Sequence, residues 1–141
     1  VSFSMPAGNY HIAIRHRNHL GCMSANDITL SATPALLDFS STSTATWGTD
    51  ARKNVDGTLV LWSGDCRGDG DVKYAGTNND RDVILAAIGG LIPTATITGY
   101  HRADANMDGK VKYIGAKNDR DLILLNIGGY MPTAVISEQL P

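Results

Sequence analysis

Oxygen-bearing side chains recur in this chain at a spacing that suits a hard cation. The clearer run is Asp104-Ala-Asn106-Met-Asp108-Gly109-Lys110-Val111. Carboxylate or amide oxygens occupy positions 1, 3 and 5 and glycine occupies position 6, which is the first half of an EF-hand calcium loop. Alternate residues turn their oxygens inward, glycine permits the sharp turn, and the backbone carbonyl of Lys110 at position 7 adds a donor. Val111 at position 8 is placed to anchor a small β-bridge. Such a loop closes with a carboxylate at position 12, but that position is Gly115, and the next acids are Asp119 and Asp121. If Asp121 closes the loop, it arrives about six residues late. The segment Tyr113–Asn118 must then bulge outward. A donor set made only of oxygen selects a hard cation, and a flexible loop favours Ca²⁺ over Mg²⁺.

The same design occurs earlier in the chain. Asp65–Ile97 recurs 39 positions later as Asp104–Ile136, with 20 of 33 positions identical. A repeat of this length marks two copies of one supersecondary unit. The first copy keeps Asp65, Asp69, Asp80 and Asp82, with Asp71 at position 7, but has Arg67 at position 3 and Gly68 at position 4. A guanidinium beside a divalent ion costs Coulomb energy and supplies no oxygen. The second loop (Asp104, Asn106, Asp108, Lys110 and Asp119 or Asp121) is therefore expected to be the stronger Ca²⁺ site. The first is expected to be a weaker second site, with an internal Arg–Asp pair as the rival reading.

Each loop needs elements to hold it. Helices are expected at Asp80–Ile88 and Asp119–Ile127, with Asn79 and Asn118 as N-caps and acidic residues in the first turn. Ile84, Ala87 and Ile88 make one apolar stripe, repeated as Ile123, Asn126 and Ile127 with Leu124 and Leu125 beside them. Gly89-Gly90 and Gly128-Gly129 end the helices, and Pro93 and Pro132 prevent their extension. Residues 1–63 read instead as β. Strands are expected at Val1–Met5, Tyr10–Arg17, Asp27–Ala32, Ala35–Phe39, Thr44–Trp47 and Thr58–Trp62, with a break at Asn18–Gly21. The expected fold class is mainly β with small α. A thin Ig- or transthyretin-like β-sandwich (1–63) precedes a duplicated calcium loop–helix unit (64–141, with repeats at 64–99 and 103–137).

Composition narrows the function. Net charge is −2 with no Lys/Arg run, so neither nucleic acid nor an anionic membrane surface is an expected partner. No apolar stretch approaches the ~18 residues of a spanning helix. The chain starts at Val1 in strand-like sequence without Met, which reads as a mature product or an excised piece. Cys22 and Cys66 lie in different halves, where a disulfide would tie the halves together. His16-x-x-His19-x-x-Cys22 lacks a fourth zinc ligand. Arg67-Gly68-Asp69 spends its aspartate in the loop. Tyr74 and Tyr113 recur with the repeat, as core residues would, so they do not make a sugar platform. No nucleophile–base pair, phosphate loop or open metal triad is present, and no enzymatic activity is expected.

The loops resemble dockerin repeats, in which a D-x-N-x-D-G-x-V loop leads into a helix like Asp121-Leu-Ile-Leu-Leu125. More closely, Val-Lys-Tyr-x-Gly-x-x-Asn-Asp-Arg-Asp-x-Ile-Leu followed by Ile-Gly-Gly-x-x-Pro-Thr is similar to C-terminal modules of large secreted proteins of Bacteroidota. In those proteins a segment like Pro6–Leu20 precedes the pair and an ending like Glu138-Gln-Leu-Pro141 follows it. The resemblance implies a secreted bacterial module, extracellular or at the cell surface, stabilised by calcium, in an adhesin-like or surface-structure protein. Self-association into a filament or layer is the expected partnership. A cohesin-like protein or a glycan is the alternative partner. The insertion before Asp119 changes the helix faces a cohesin would meet.

Overall fold

The computed structural model describes residues 5–141. All but the last residue of the strand expected at Val1–Met5 lies outside the described residues. The chain is mainly β with small α: among the described residues there are two short helices, and the strands pair only as two-stranded antiparallel ribbons. In the N-terminal segment, β1 (Gly8–Tyr10) pairs with β4 (Ile28–Leu30), β2 (Ala13–His16) with β3 (His19–Met23), and β5 (Lys53–Val55) with β6 (Thr58–Val60).

Among the described residues these ribbons are not joined into the two stacked sheets of a sandwich. Burial explains why. Strands β1, β4, β5 and β6 are three residues long and contain no fully buried side chain. Only β3 contributes a continuous buried run, Leu20-Gly-Cys22. The break expected at Asn18–Gly21 is thus a tight turn into a strand. Asn18 is itself buried, and its side chain bonds to backbone carbonyls far away in the chain. Ala35–Phe39 forms no strand, and Leu36 there is 95% exposed. Thr44–Trp47 retains only one bridge, Ser24 to Thr46.

The repeats are regular. The first comprises β7 (Asp71–Lys73), α1 (Asp80–Ala87) and β8 (Thr96–Thr98). The second comprises β9 (Lys110–Lys112), α2 (Asp119–Asn126) and β10 (Val135–Ser137). Every boundary of the second equals that of the first plus 39. The pairing is crossed: β7 pairs with β10 and β9 pairs with β8, in equivalent registers. Val72 and Val111 at position 8 of the loops therefore face Ile136 and Ile97 of the opposite repeat. Neither repeat can complete its ribbon alone, which makes the pair one folding unit.

The core lies between the repeats. Val72, Ile84, Val111 and Ile123 are fully buried, Ile88 and Ile127 nearly so, and Leu20 of β3 joins the same cluster. The apolar stripe expected on each helix is the face that packs here, while Leu125 remains 63% exposed. Each helix is capped as its sequence predicts: Asn79 Oδ1 accepts from Asp82 N and Asn118 Oδ1 accepts from Asp121 N, both at 2.9 Å. The Gly-Gly pairs close the C-termini, with Gly90 N donating to Leu85 O and Gly129 N to Leu124 O.

Cys22 and Cys66 are two separate, fully buried thiols, so of the two possibilities, a bridge or free thiols, the structure has the free thiols. Cys66 packs in the repeat core and Cys22 lies in the β2–β3 ribbon. Burial raises both thiols above their usual range, which leaves them unreactive. The two halves are joined by polar contacts instead. Ser63 Oγ donates to Ala105 O, Asn126 Nδ2 donates to Ser63 O at 2.7 Å, and Lys53 Nζ donates to Asn126 Oδ1 at 2.7 Å.

Candidate metal centre

Each loop is built around its first aspartate. Asp65 Oδ1 accepts from the backbone N–H of Gly68 and Asp69, and Oδ2 accepts from Gly70. Asp104 does the same for Asp108 and Gly109, at 3.1 Å each. These bonds fold the backbone into a cup. Position 4 needs a left-handed backbone: Gly68 has φ 73° and Met107 has φ 59°. Glycine takes that conformation freely, whereas methionine is strained there. The Gly68 that departs from the usual loop pattern therefore suits the backbone better than its counterpart does.

The loops close through the first residue of each helix. Asp80 and Asp119 are fully buried. Asp80 Oδ1 accepts from Arg67 N at 3.0 Å and Oδ2 from Lys73 N at 2.8 Å; Asp119 accepts equivalently from Asn106 N at 3.2 Å and Lys112 N at 2.8 Å. Asp82 and Asp121 are held elsewhere: each Oδ2 accepts from the side-chain amide of its N-cap asparagine. That bond comes first among the causes that hold Asp121 below the ordinary carboxylate range. Asp71 is likewise engaged, its Oδ1 accepting from Ser137 Oγ at 2.6 Å. The bulge before each helix is strapped by lysine, with Lys73 Nζ donating to Thr77 O and Lys112 Nζ to Ala116 O.

Among the described residues, the acidic groups whose oxygens converge within 4.8 Å of one another are Asp65, Asp69 and Asp80. They lie in the first loop, the one whose sequence looked weaker. Burial drives the Asp80 carboxyl up to about 7 and also raises Asp65 and Asp119. No Lys, Arg or His pairs with Asp65, Asp80 or Asp119 among the described residues. Asp69 meets Arg67 Nε at 2.9 Å in a half-exposed pair.

The donor chemistry fits a hard divalent ion. Each Asp80 oxygen uses one lone pair on a backbone N–H and keeps another. Two buried carboxylates and a third beside them repel one another unless a proton or a cation neutralises them. A hard divalent cation, which oxygen ligands suit, could supply that charge.

The second loop is arranged differently at its mouth. Arg17, at the β2–β3 turn, places Nη2 3.6 Å from Asp104 Oδ2, and both side chains are largely buried. Its Nε donates to His101 O at 3.1 Å, and its guanidinium lies 3.9 Å from the Tyr100 ring centre. Next to it Asn18 Nδ2 donates to Arg102 O and Asp104 O. Asn106 Oδ1 accepts from Asp108 N, and its amide donates to Lys117 O. Sequence reading missed Arg17 and Asn18, because these contacts join residues more than eighty positions apart and no local spacing marks them.

No family model, curated protein or solved structure matches this chain.

Proposed function

We propose that this chain is an extracellular structural module whose dockerin-like repeats bind calcium and which assembles with copies of itself into a surface filament or layer. The observation that carries the calcium reading is the pair of buried closing carboxylates, Asp80 and Asp119, neither of which pairs with a protein cation among the described residues. In this reading Asp65, Asp69 and Asp80 hold one ion. Asp104, Asn106, Asp108 and Asp119, with the Lys110 carbonyl, hold a second. The ion's chemistry is electrostatic clamping: it offsets the repulsion among the carboxylates and locks each helix N-terminus to its loop, so binding energy becomes folding energy.

Assembly is supported by what the fold leaves uncovered. The turns after the two helices expose equivalent apolar pairs: Leu91 and Ile92 at 90% and 62%, Tyr130 and Met131 at 95% and 64%. Their spacing repeats the same 39-residue offset, so one chain carries two like contacts. Contacts of this kind that do not close on themselves generate filaments. The three-residue N-terminal ribbons also leave strand edges available for pairing with a neighbour.

Thermal unfolding and electron microscopy in calcium and in EGTA test both parts. Chelation is expected to lower stability by about 2.7 kcal/mol per site that had been loaded at 100-fold excess over its Kd. It is also expected to disperse any filament. An unchanged melting curve would remove the calcium reading. A monomer in calcium that binds only a foreign partner would remove the assembly reading.

A further inference from the structure

The β2–β3 hairpin turns through Arg17 and Asn18, which sets His16 opposite His19 in its register. The two imidazoles meet edge to face, with their Nδ1 atoms 2.9 Å apart. Asn18 Oδ1 lies 2.8 Å from the same His19 Nδ1. Both rings line a cavity of about 590 Å³ that reaches Met107 of the second loop, so space for water adjoins these atoms.

We propose that His16 Nδ1, His19 Nδ1 and Asn18 Oδ1 bind a divalent transition-metal ion, Cu²⁺ or Ni²⁺, with water from the cavity completing its coordination. The site is separate from the oxygen-only loops and does not depend on the calcium reading. Two observations carry it. The first is a hydrogen-bond conflict. Asn18 is fully buried and spends both amide hydrogens on Arg102 O and Asp104 O, so its Oδ1 can only accept and asks His19 Nδ1 to donate. Arg17 Nη1, which can only donate, stands 3.3 Å from His16 Nε2. A neutral His16 with that nitrogen bare carries its proton on Nδ1, and two N–H groups then point at one another across the 2.9 Å contact. Moving the His16 proton to Nε2 sets it against Arg17, and moving the His19 proton leaves two lone pairs facing at Asn18. No placement of one proton on each ring satisfies all three contacts. A metal ion on the two bare Nδ1 atoms removes the conflict at the two shortest. Arg17 loses only its longest contact of the three, and keeps His101 O and Asp104.

The second observation is geometric. Bonds of about 2.0–2.1 Å from a metal to two donors at right angles place those donors about 2.9 Å apart, whereas a tetrahedral angle places them about 3.4 Å apart. The contacts of 2.9 and 2.8 Å match the right angle. A tetragonal set of nitrogen and oxygen donors suits Cu²⁺ or Ni²⁺ better than Zn²⁺. Cys22 takes no part, because it lies three residues beyond His19 on β3 and so on the opposite face of the strand. Asn18 stands in its place. Burial also holds the His19 ring near 4, which keeps it neutral and able to ligate at pH 7.

Calorimetry of the whole chain in millimolar calcium, with nickel chloride as the probe, tests this. One Ni²⁺ is expected to bind with Kd on the order of micromolar. His16→Gln is expected to weaken it at least about tenfold. His11→Gln, at a ring held by Ser24 and Asp27, is expected to leave it unchanged. Electron paramagnetic resonance of the unmutated chain with one equivalent of copper chloride is expected to show coupling to two imidazole nitrogens, and to one in His16→Gln. Absence of saturable nickel heat would overturn the proposal, as would nickel heat that His16→Gln leaves intact. A copper spectrum with a single imidazole nitrogen in the unmutated chain would overturn it without recourse to any variant.

Discussion

The two loops share a backbone and differ in what surrounds it. Both fold around a first aspartate that accepts from backbone N–H groups, and both close through a buried aspartate at the helix start. Both cap their helices with the same asparagine–aspartate exchange. Yet the first loop brings three carboxylates together and pairs one of them with a half-exposed arginine, while the second has a buried arginine against its first aspartate. An exposed ion pair is worth little and gives way easily. A buried one is costly to break. An ion would therefore displace less in the first loop than in the second, the reverse of the order that position 3 alone suggests. Repeating a sequence repeats the cup, whereas the charge at its mouth is set by residues brought in from outside the repeat.

The largest effect should come from the closing carboxylates. Asp80→Asn keeps the shape but turns an amide N–H₂ toward one of two backbone donors, Arg67 N or Lys73 N. Without metal this should cost about 1–3 kcal/mol for the unpaired buried donor. With metal the variant should also lose the stabilisation from the ion and one of two calcium transitions. Asp119→Asn should remove the other. Denaturant unfolding in EGTA and calorimetry in calcium read the two effects separately. The comparison breaks if either single variant abolishes both transitions.

Protons sharpen the same comparison. The Asp80 carboxyl titrates at about 7 in the folded chain against an ordinary 3.8, because burial disfavours its charge. The folded state therefore binds this proton more tightly than the unfolded chain does. Its contribution to stability is full below about pH 4 and is lost as pH rises through 7. Over that interval the metal-free protein loses on the order of 4 kcal/mol from this group. Calcium must displace the proton, so its apparent affinity for the first loop should fall about tenfold per pH unit below 7, with close to one proton released per ion. Calorimetry in buffers of different ionisation enthalpy counts those protons. His19 acts in the opposite direction: burial lowers it to about 4, so protonation favours the unfolded chain between pH 6.5 and 4. A stability profile alone mixes the two groups. Proton release on calcium binding isolates the first.

Arg17 sets the next test. Arg17→Gln withdraws the guanidinium from Asp104 and should tighten the second calcium transition several-fold and the first by less. The cost appears in metal-free stability, since Asp104 is then buried without its partner. If the second transition weakens instead, Arg17 supports the loop and does not compete with the ion.

These particulars also show how far sequence alone carries. The helices, their caps and their Gly-Gly ends were legible because each depends on residues within five positions of one another. Asp80 or Asp82 as the closing residue was not legible, since both lie at the helix start and only the asparagine cap decides which is taken. The crossed pairing of β7 with β10 and β8 with β9 was hidden for a different reason. Each strand is three residues long, and its partner is chosen by the packing of the whole repeat. The N-terminal half misled most. Alternation there is real, but burial is too slight for stacked sheets, and the side chains that matter, Arg17 and Asn18, point across to the second loop.

The smallest effect concerns the backbone at position 4. Gly68 and Met107 both sit at positive φ, 73° and 59°, but only glycine does so without strain. Met107 is 54% exposed, and its side chain is not needed to fill the core. Met107→Gly should therefore relieve about 1 kcal/mol of left-handed strain, partly offset by the greater freedom of glycine in the unfolded chain. The reciprocal change behaves differently. A methyl group on Gly68 would lie against Arg102 Nη1, so Gly68→Ala should destabilise by strain and by displacing that guanidinium from Arg67 O. Melting curves of the two variants in EGTA thus should move apart, near neutral for Met107→Gly and lower for Gly68→Ala. Equal and opposite shifts would mean that backbone strain alone separates the loops and that Arg102 contributes nothing to the first.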